Sequence, residues 1–296
     1  MKRKINRVGT NTLTVSLPTA WAKQYNLKPG QEVELRTYGS RITLEPLEVK
    51  SELTLSFLSS ADFSRRAFFK SYTQGYDEVT IEYPDPEIAA RIHANLHLML
   101  GFEIVSQTAR RCVIKNIAEG LDSEFDAIFN RFISIPVTMG TETLQAAGEK
   151  NQAVLSSIVT YEATADKCSM FCKRMINKKG VGLSTPPRSG VVTDEIISLF
   201  KSIVFNFRRI IEILQEDISL SKRSREYFQK INALVAETRS LVFSPASKKS
   251  TLLKNHSKDA ILESYGLLSS PNPVDRKVIS VLGTIAINIY DLSKDF

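Results

Sequence analysis

The chain has 296 residues, with 43% hydrophobic and 24% charged side chains and a net charge of +7. These proportions exclude a low-complexity or intrinsically disordered chain, and the length predicts about two domains. The positive excess has a location. Residues 1–50 hold nine basic and four acidic side chains (+5), 51–118 seven and eight (−1), and 119–296 23 and 20 (+3). A basic N-terminal segment points to a nucleic-acid partner at that end. Met1-Lys2-Arg3-Lys4 is followed by no apolar core of a signal peptide, and Val278–Leu292 is interrupted by Gly283, Thr284 and Asn288 and too short to span a membrane. Three cysteines without a paired framework predict a reducing, cytoplasmic setting.

Lys2, Arg3, Lys4, Arg7, Lys23 and Lys28 all precede the first acid, Glu32. Leu13, Val15 and Leu17 alternate with Thr12, Thr14 and Ser16, the period of a half-buried strand. Val33/Leu35 and Ile42/Leu44 across Tyr38-Gly39-Ser40 predict a hairpin. Pro18 to Leu27 predicts one short helix, with Pro18 in its first turn and Pro29-Gly30 as its stop.

The order strand, turn, strand, short helix, strand, turn, strand resembles the SpoVT/AbrB-like (swapped-hairpin) DNA-binding domain. The matching run is Val8-Gly9-Thr10-Asn11-Thr12, Val15-Ser16-Leu17-Pro18, Trp21, Leu27, Pro29-Gly30 and the Val33/Leu35 strand. A piece this small has too little core to stand alone. The resemblance implies two interlocked copies, hence a homodimer, and contact with duplex DNA through Lys2, Arg3, Lys4, Arg7, Asn11, Thr12 and Lys23. Lys and Arg would neutralise phosphates, while Asn11 or an Arg could reach base edges.

Residues 51–118 alternate between types. Glu52–Leu58, Val79–Tyr83, Ile104–Val105 and Cys112–Ile117 predict strands, and Asp62–Tyr72 and Pro84–Gly101 predict helices. The order predicts a small α/β sandwich with helices on one face, a spacer or sensor domain for which the sequence names no ligand. His93 and His97 are four apart, but Ala94 stands where the H-E-x-x-H zinc motif needs its glutamate.

From residue 119 the patterning is helical: Leu121–Glu149, Asn151–Asn177, Thr193–Asp217, Ser221–Phe243, Ser250–Tyr265 and Asn272–Phe296. Pro136 should kink or split the first, and Lys178 to Gly190, containing Pro186-Pro187, reads as a linker. Val154, Ile158, Tyr161, Ala165, Cys168, Cys172 and Met175 step by four and three, so the cysteines read as core. Six helices divided after the third predict two three-helix bundles.

This tail resembles a divergent PhoU domain, the family of phosphate-uptake regulators, and archaeal PhoU-like proteins carry an AbrB-like domain in front. Glu162-Ala163-Thr164-Ala165-Asp166 fits the family's E-x-x-x-D motif, and Ala286-Ile287-Asn288-Ile289 resembles the end of its other copy. The resemblance implies a divalent or ferric metal at Glu162 and Asp166, but the partner motifs look lost: no Asp or Glu lies between Glu195 and Glu212, or between Asp275 and Asp291. The alternative for the pair is a solvated edge paired with Lys167 or Lys173. No nucleophile with its base, P-loop or dinucleotide fingerprint occurs, so neither enzymatic activity nor an organic cofactor is expected.

The expected whole is thus a multidomain α+β protein: a swapped-hairpin domain at 1–48, an α/β sandwich at 51–118 and a PhoU-like all-α region at 119–296. Its expected function is a cytoplasmic, homodimeric, DNA-binding transcriptional regulator of phosphate uptake. The alternative is a regulator that docks on a phosphate transporter or sensor kinase, with its N-terminal domain serving to dimerise.

Overall fold

The computed structural model describes residues 2–38, 41–46, 51–118, 120–180 and 188–293. Gly39-Ser40 of the expected hairpin turn and residues 181–187 of the expected linker lie outside them. The chain divides into two compact units, Met1–Ser51 and Glu52–Phe296.

The first unit holds two antiparallel hairpins, β1 (Ile5–Val8) with β2 (Thr12–Val15) and β3 (Val33–Tyr38) with β4 (Arg41–Pro46), and between them helix α1 (Thr19–Gln24). None of its described residues is buried. Pro18 is the residue before the helix, in extended conformation (φ −62°, ψ 124°), rather than a member of the first turn. The helix also stops earlier than Pro29-Gly30: Asn26 takes φ +50°, a left-handed conformation that Asn tolerates and that ends a helix.

The second unit opens with a four-stranded sheet in the order β5-β6-β8-β7, built from β5 (Glu52–Ser56), β6 (Glu78–Glu82), β7 (Phe102–Gln107) and β8 (Arg111–Asn116). β5 and β6 are parallel, joined by α2 (Arg65–Thr73), and the other pairs are antiparallel. The register puts Leu53, Val79 and Ile114 side by side, and Leu55, Ile81 and Cys112 beside them. On that face α2 lays Phe68 and Tyr72, and α3 (Glu87–Leu96) lays Ile88 and Ile92. Glu78 and Glu82 point to the other face, as strand alternation requires. Ser64, not Asp62, caps α2: its Oγ accepts from the Ala67 N–H at 3.2 Å, while Asp62 closes a preceding turn with Ser59.

The helical part comprises α4 (Phe125–Glu149), α5 (Gln152–Ile158), α6 (Tyr161–Lys179), α7 (Gly190–Glu216), α8 (Lys222–Phe243), α9 (Ser247–Leu267) and α10 (Pro273–Leu292). The one helix expected over Asn151–Asn177 is two, broken at Val159-Thr160, where the Thr160 hydroxyl donates to the Ser157 carbonyl at 2.7 Å. The stripe survives the break: Ile158, Ala165, Cys168, Cys172 and Met175 are all buried. Pro136 does not split α4. Phe132, Ile133 and Met139 on either side of it are wholly buried, and their packing holds the helical course through the missing N–H.

α7 is the spine. Ile196, Phe200, Ile203, Phe207, Ile210, Ile211 and Leu214 are 0% exposed, a stripe too wide for one packing face. It packs against α4, α6 and α10, so α4 to α10 share one continuous core in place of the two separate three-helix bundles expected. Phe207 stacks on Phe228 of α8 with centroids 6.0 Å apart. Gly140 of α4 permits this approach, since a Cβ there would lie 2.7 Å from the Phe207 ring.

Asp275, in the first turn of α10 and 1% exposed, ties two helix starts together. Its carboxylate accepts the Ser221 N–H, the residue before α8, at 3.0 Å and the Ser270 hydroxyl at 3.0 Å. Burial pushes its pKa up, and the hydrogen bonds from Ser221, Ser224 and Ser270 outweigh burial and hold it below the ordinary 3.8. A depressed folded pKa contributes stability that is present above the unfolded value and lost as pH falls through the folded one. Urea titrations should therefore show wild-type stability dropping below about pH 4 more steeply than in Asp275→Asn, which should itself be weaker by about 1–3 kcal/mol at pH 7.

Candidate nucleic-acid interface

The β1–β2 hairpin is closed by Gly9-Thr10-Asn11, with Gly9 at φ +67°, a conformation that costs glycine little. Register sorts its side chains. Ile5 faces Val15 and Arg7 faces Leu13 on one side; Asn6 faces Thr14 and Val8 faces Thr12 on the other. The Thr14 hydroxyl donates to the Asn6 carbonyl at 3.4 Å, fixing its own orientation. The first face carries three large apolar residues that are 54–69% exposed in the single chain, and Val33, Leu35, Ile42 and Leu44 form a similar face on the second hairpin.

Each expected DNA-contacting residue, Lys2, Arg3, Lys4, Arg7, Asn11, Thr12 and Lys23, is exposed. Lys2, Arg3 and Lys4 lead into β1, Asn11 sits in the turn, Thr12 opens β2 and Lys23 lies on the last turn of α1. Among the described residues none of these cations is held in an ion pair, which leaves their charge available to a polyanion. The set is not on one surface, however. Arg7 shares the apolar face with Leu13, whereas Thr12 lies on the opposite face with Asn6 and Thr14. Asn6 and Thr14 belong with Thr12, and the alternation that placed Thr12 could have found them.

α1 is short, with Trp21 and Tyr25 one turn apart and ring centroids 5.5 Å apart. Lys23 projects from a helix whose two aromatic rings brace each other.

The expected metal pair has other partners. Glu162 accepts from Arg208, and Asp166 meets Lys201 at 3.1 Å, both across the antiparallel α6–α7 seam. Lys173 continues the ladder to Asp194 at 3.1 Å, so neither Lys167 nor Lys173 serves the pair. The neighbouring helix thus supplies cations where a metal cluster needs more carboxylates. No group of three or more His, Cys, Asp and Glu able to hold a metal ion occurs among the described residues. In the second motif, Ala286 and Ile289 are buried and Asn288 donates to Ser202 Oγ at 2.8 Å, a structural link between α10 and α7. Cys168 and Cys172 are buried and free, and burial pushes both thiols up. His93 binds Gln107 at 2.8 Å, and both it and His97 are exposed.

Residues 7–52 match the family model described as Antidote-toxin recognition MazE, bacterial antitoxin. The N-terminal segment is therefore similar to AbrB/SpoVT-like swapped-hairpin domains. The match ends at residue 52, and no family match confirms the PhoU-like part. No curated protein and no solved structure gives a significant match. Among the described residues, no helix is long and apolar enough to cross a membrane.

Proposed function

We propose that the chain is a DNA-binding regulator that acts as a homodimer, without catalysis, through residues 2–46. The observation that carries this reading is a hairpin pair with unpaired cations on its rim and an apolar face exposed in the single chain. Two copies that cover this face against each other bring ten cations, from Lys2, Arg3, Lys4, Arg7 and Lys23 of each, to one dimeric head. Two-fold symmetry favours a near-palindromic duplex site. The helical region would then read a signal and change how the heads are presented.

A second reading follows from the family description. A head similar to antitoxin recognition domains could hold a protein partner and use its hairpins mainly to dimerise. The phosphate role, whether at promoters of uptake genes or on a transporter or sensor kinase, rests only on the likeness of Glu162–Asp166 and Ala286–Ile289 to PhoU motifs. The occupied carboxylates of Glu162 and Asp166 weaken that likeness.

Fragment-binding isotherms at several salt concentrations separate the readings. DNA binding predicts a linear fall of log K with log salt, at about −0.9 per phosphate neutralised. Changing Arg3, Lys4 and Arg7 to Ala removes six cations per dimer and should flatten the slope by about 5 and cost at least about a hundredfold in affinity. A chain that dimerises normally yet has no salt-dependent affinity for duplex DNA would support the partner-protein reading instead.

A further inference from the structure

Of the two edges of the four-stranded sheet, β7 is spoiled for further pairing and β5 is not. β7 carries a register shift between Ile104 and Ser106, and its Val105 is 49% exposed. A bulge of this kind bends an edge strand away from a neighbour. β5 stays in register with β6 from Glu52 to Ser56 and contains no Lys, Arg or Pro, the residues that usually guard an edge. Among the described residues β6 is its only strand neighbour.

The backbone of β5 sorts into two sides. The Phe57 N–H donates across the pair to the Glu82 carbonyl at 3.0 Å. Alternation then turns the polar groups of Leu53 and Leu55 toward β6, and those of Glu52, Thr54 and Ser56 toward the free edge. The Leu53 and Leu55 side chains, on the helix-covered face, are only half-buried where the sheet ends. A second β5, antiparallel about a two-fold axis at Thr54, fits this edge. Thr54 then meets its own copy, and Glu52 meets Ser56 of the partner subunit, so each outward pair exchanges both its N–H···O bonds. Leu53 meets Leu55 of the partner subunit in the closer, non-bonded position, and no carboxylate opposes another. Five residues bury too little to hold two chains together unaided. The pairing therefore rests on the homodimer proposed above. Residues 47–51 join β4 to β5, about 22 Å at full stretch, so a dimer made by the N-terminal units keeps two β5 strands at high effective concentration.

We propose that β5 pairs with β5 of a second copy, joining two four-stranded sheets into one across the dimer axis. Oxidation of the full chain carrying Thr54→Cys tests it. Opposed, hydrogen-bonded residues have Cα atoms about 5.5 Å apart, within disulfide range, and the native cysteines are buried. Disulfide-linked dimer should form at least about tenfold faster than with Ser106→Cys on β7, and the advantage should vanish when Leu13→Asp and Val15→Asp are added. Without any new cysteine, amide exchange at Thr54 and Ser56 should be at least about tenfold slower in the wild type than in Leu13→Asp/Val15→Asp. Thr54→Lys, which sets two ammonium groups opposite each other, should remove the protection at Ser56 while the chain still sediments as a dimer. A dimeric chain that cross-links no faster than the Ser106→Cys control and exchanges freely at these amides would overturn this pairing alone and leave the edge to a strand of another protein. Protection that persists in Leu13→Asp/Val15→Asp would mean that the chain covers its own edge, and would also overturn it. A wild-type chain that sediments as a monomer would overturn the pairing together with the homodimer.

Discussion

Arg174→Ala should cost about 3–5 kcal/mol in unfolding free energy, the range for removing one partner of a buried, hydrogen-bonded ion pair. The guanidinium is 1% exposed, on the side of α6 that faces the sheet. It donates to the Tyr72 carbonyl at 3.0 Å, the Tyr76 carbonyl at 2.6 Å and Asp77 Oδ1 at 2.7 Å. Its carbon lies 5.1 Å from the Tyr72 ring centroid and 4.8 Å from that of Phe102. Burial draws its pKa down, and Asp77 opposes that pull. One side chain thus binds the end of α2, the loop after it and the start of β6 to the helical part. Lys178, on the same face of α6, also reaches Asp77, and Gly75 lets it in, since a Cβ there would sit 2.9 Å from Lys178 Cβ. Arg174→Lys should recover only part of the loss, because a single ammonium cannot serve two carbonyls and a carboxylate in the same plane. Chemical denaturation gives the number, and faster amide exchange at residues 74–77 gives its location. A loss under about 1 kcal/mol would mean the cluster is solvated and holds nothing together.

The second large effect concerns the N-terminal unit. Leu13→Asp with Val15→Asp should weaken self-association at least about a thousandfold. Burying each apolar side chain is worth about 1.5–3 kcal/mol, and a charge in its place reverses the sign. In the single chain these residues are 65% and 54% exposed, next to Ile5 at 69%, an apolar set with no cover of its own. DNA affinity should fall with association, although no cation has been touched. Helical content and the stability of residues 52–296 should stay as they are, because neither hydrophobic core of that unit includes these residues. A variant that still sediments as a dimer would place the association elsewhere.

Much of the fold could be read from residue patterns because local signals and packing agree. Ser189, Ser221 and Asn272 each precede a helix and accept a hydrogen bond from its first turn, close to where the sequence puts those starts. The strands of the sheet follow their alternation within a residue or two at most ends. What patterning missed depends on contacts remote in sequence. Arg174 has no signature of burial, because a cation in an apolar helix becomes a core residue only when a distant aspartate and two carbonyls surround it. Likewise, the E-x-x-x-D spacing suits a ligand pair or an ion-pair ladder equally well, and Arg208 and Lys201, some 35–46 residues away, decide between them. In the N-terminal unit, alternation identified the faces but not which of them Arg7 joins, a matter of hairpin register.

The proposed regulator works through two interlocked N-terminal units meeting a duplex. Sedimentation of the intact chain with a fluorescent duplex of its preferred sequence, repeated over a salt series, tests this most directly. The predicted result is two 33.2 kDa chains per duplex, with affinity falling linearly on a log–log plot as salt rises. A duplex that sediments unaltered at low salt, or one that carries a single chain with affinity indifferent to salt, would contradict it.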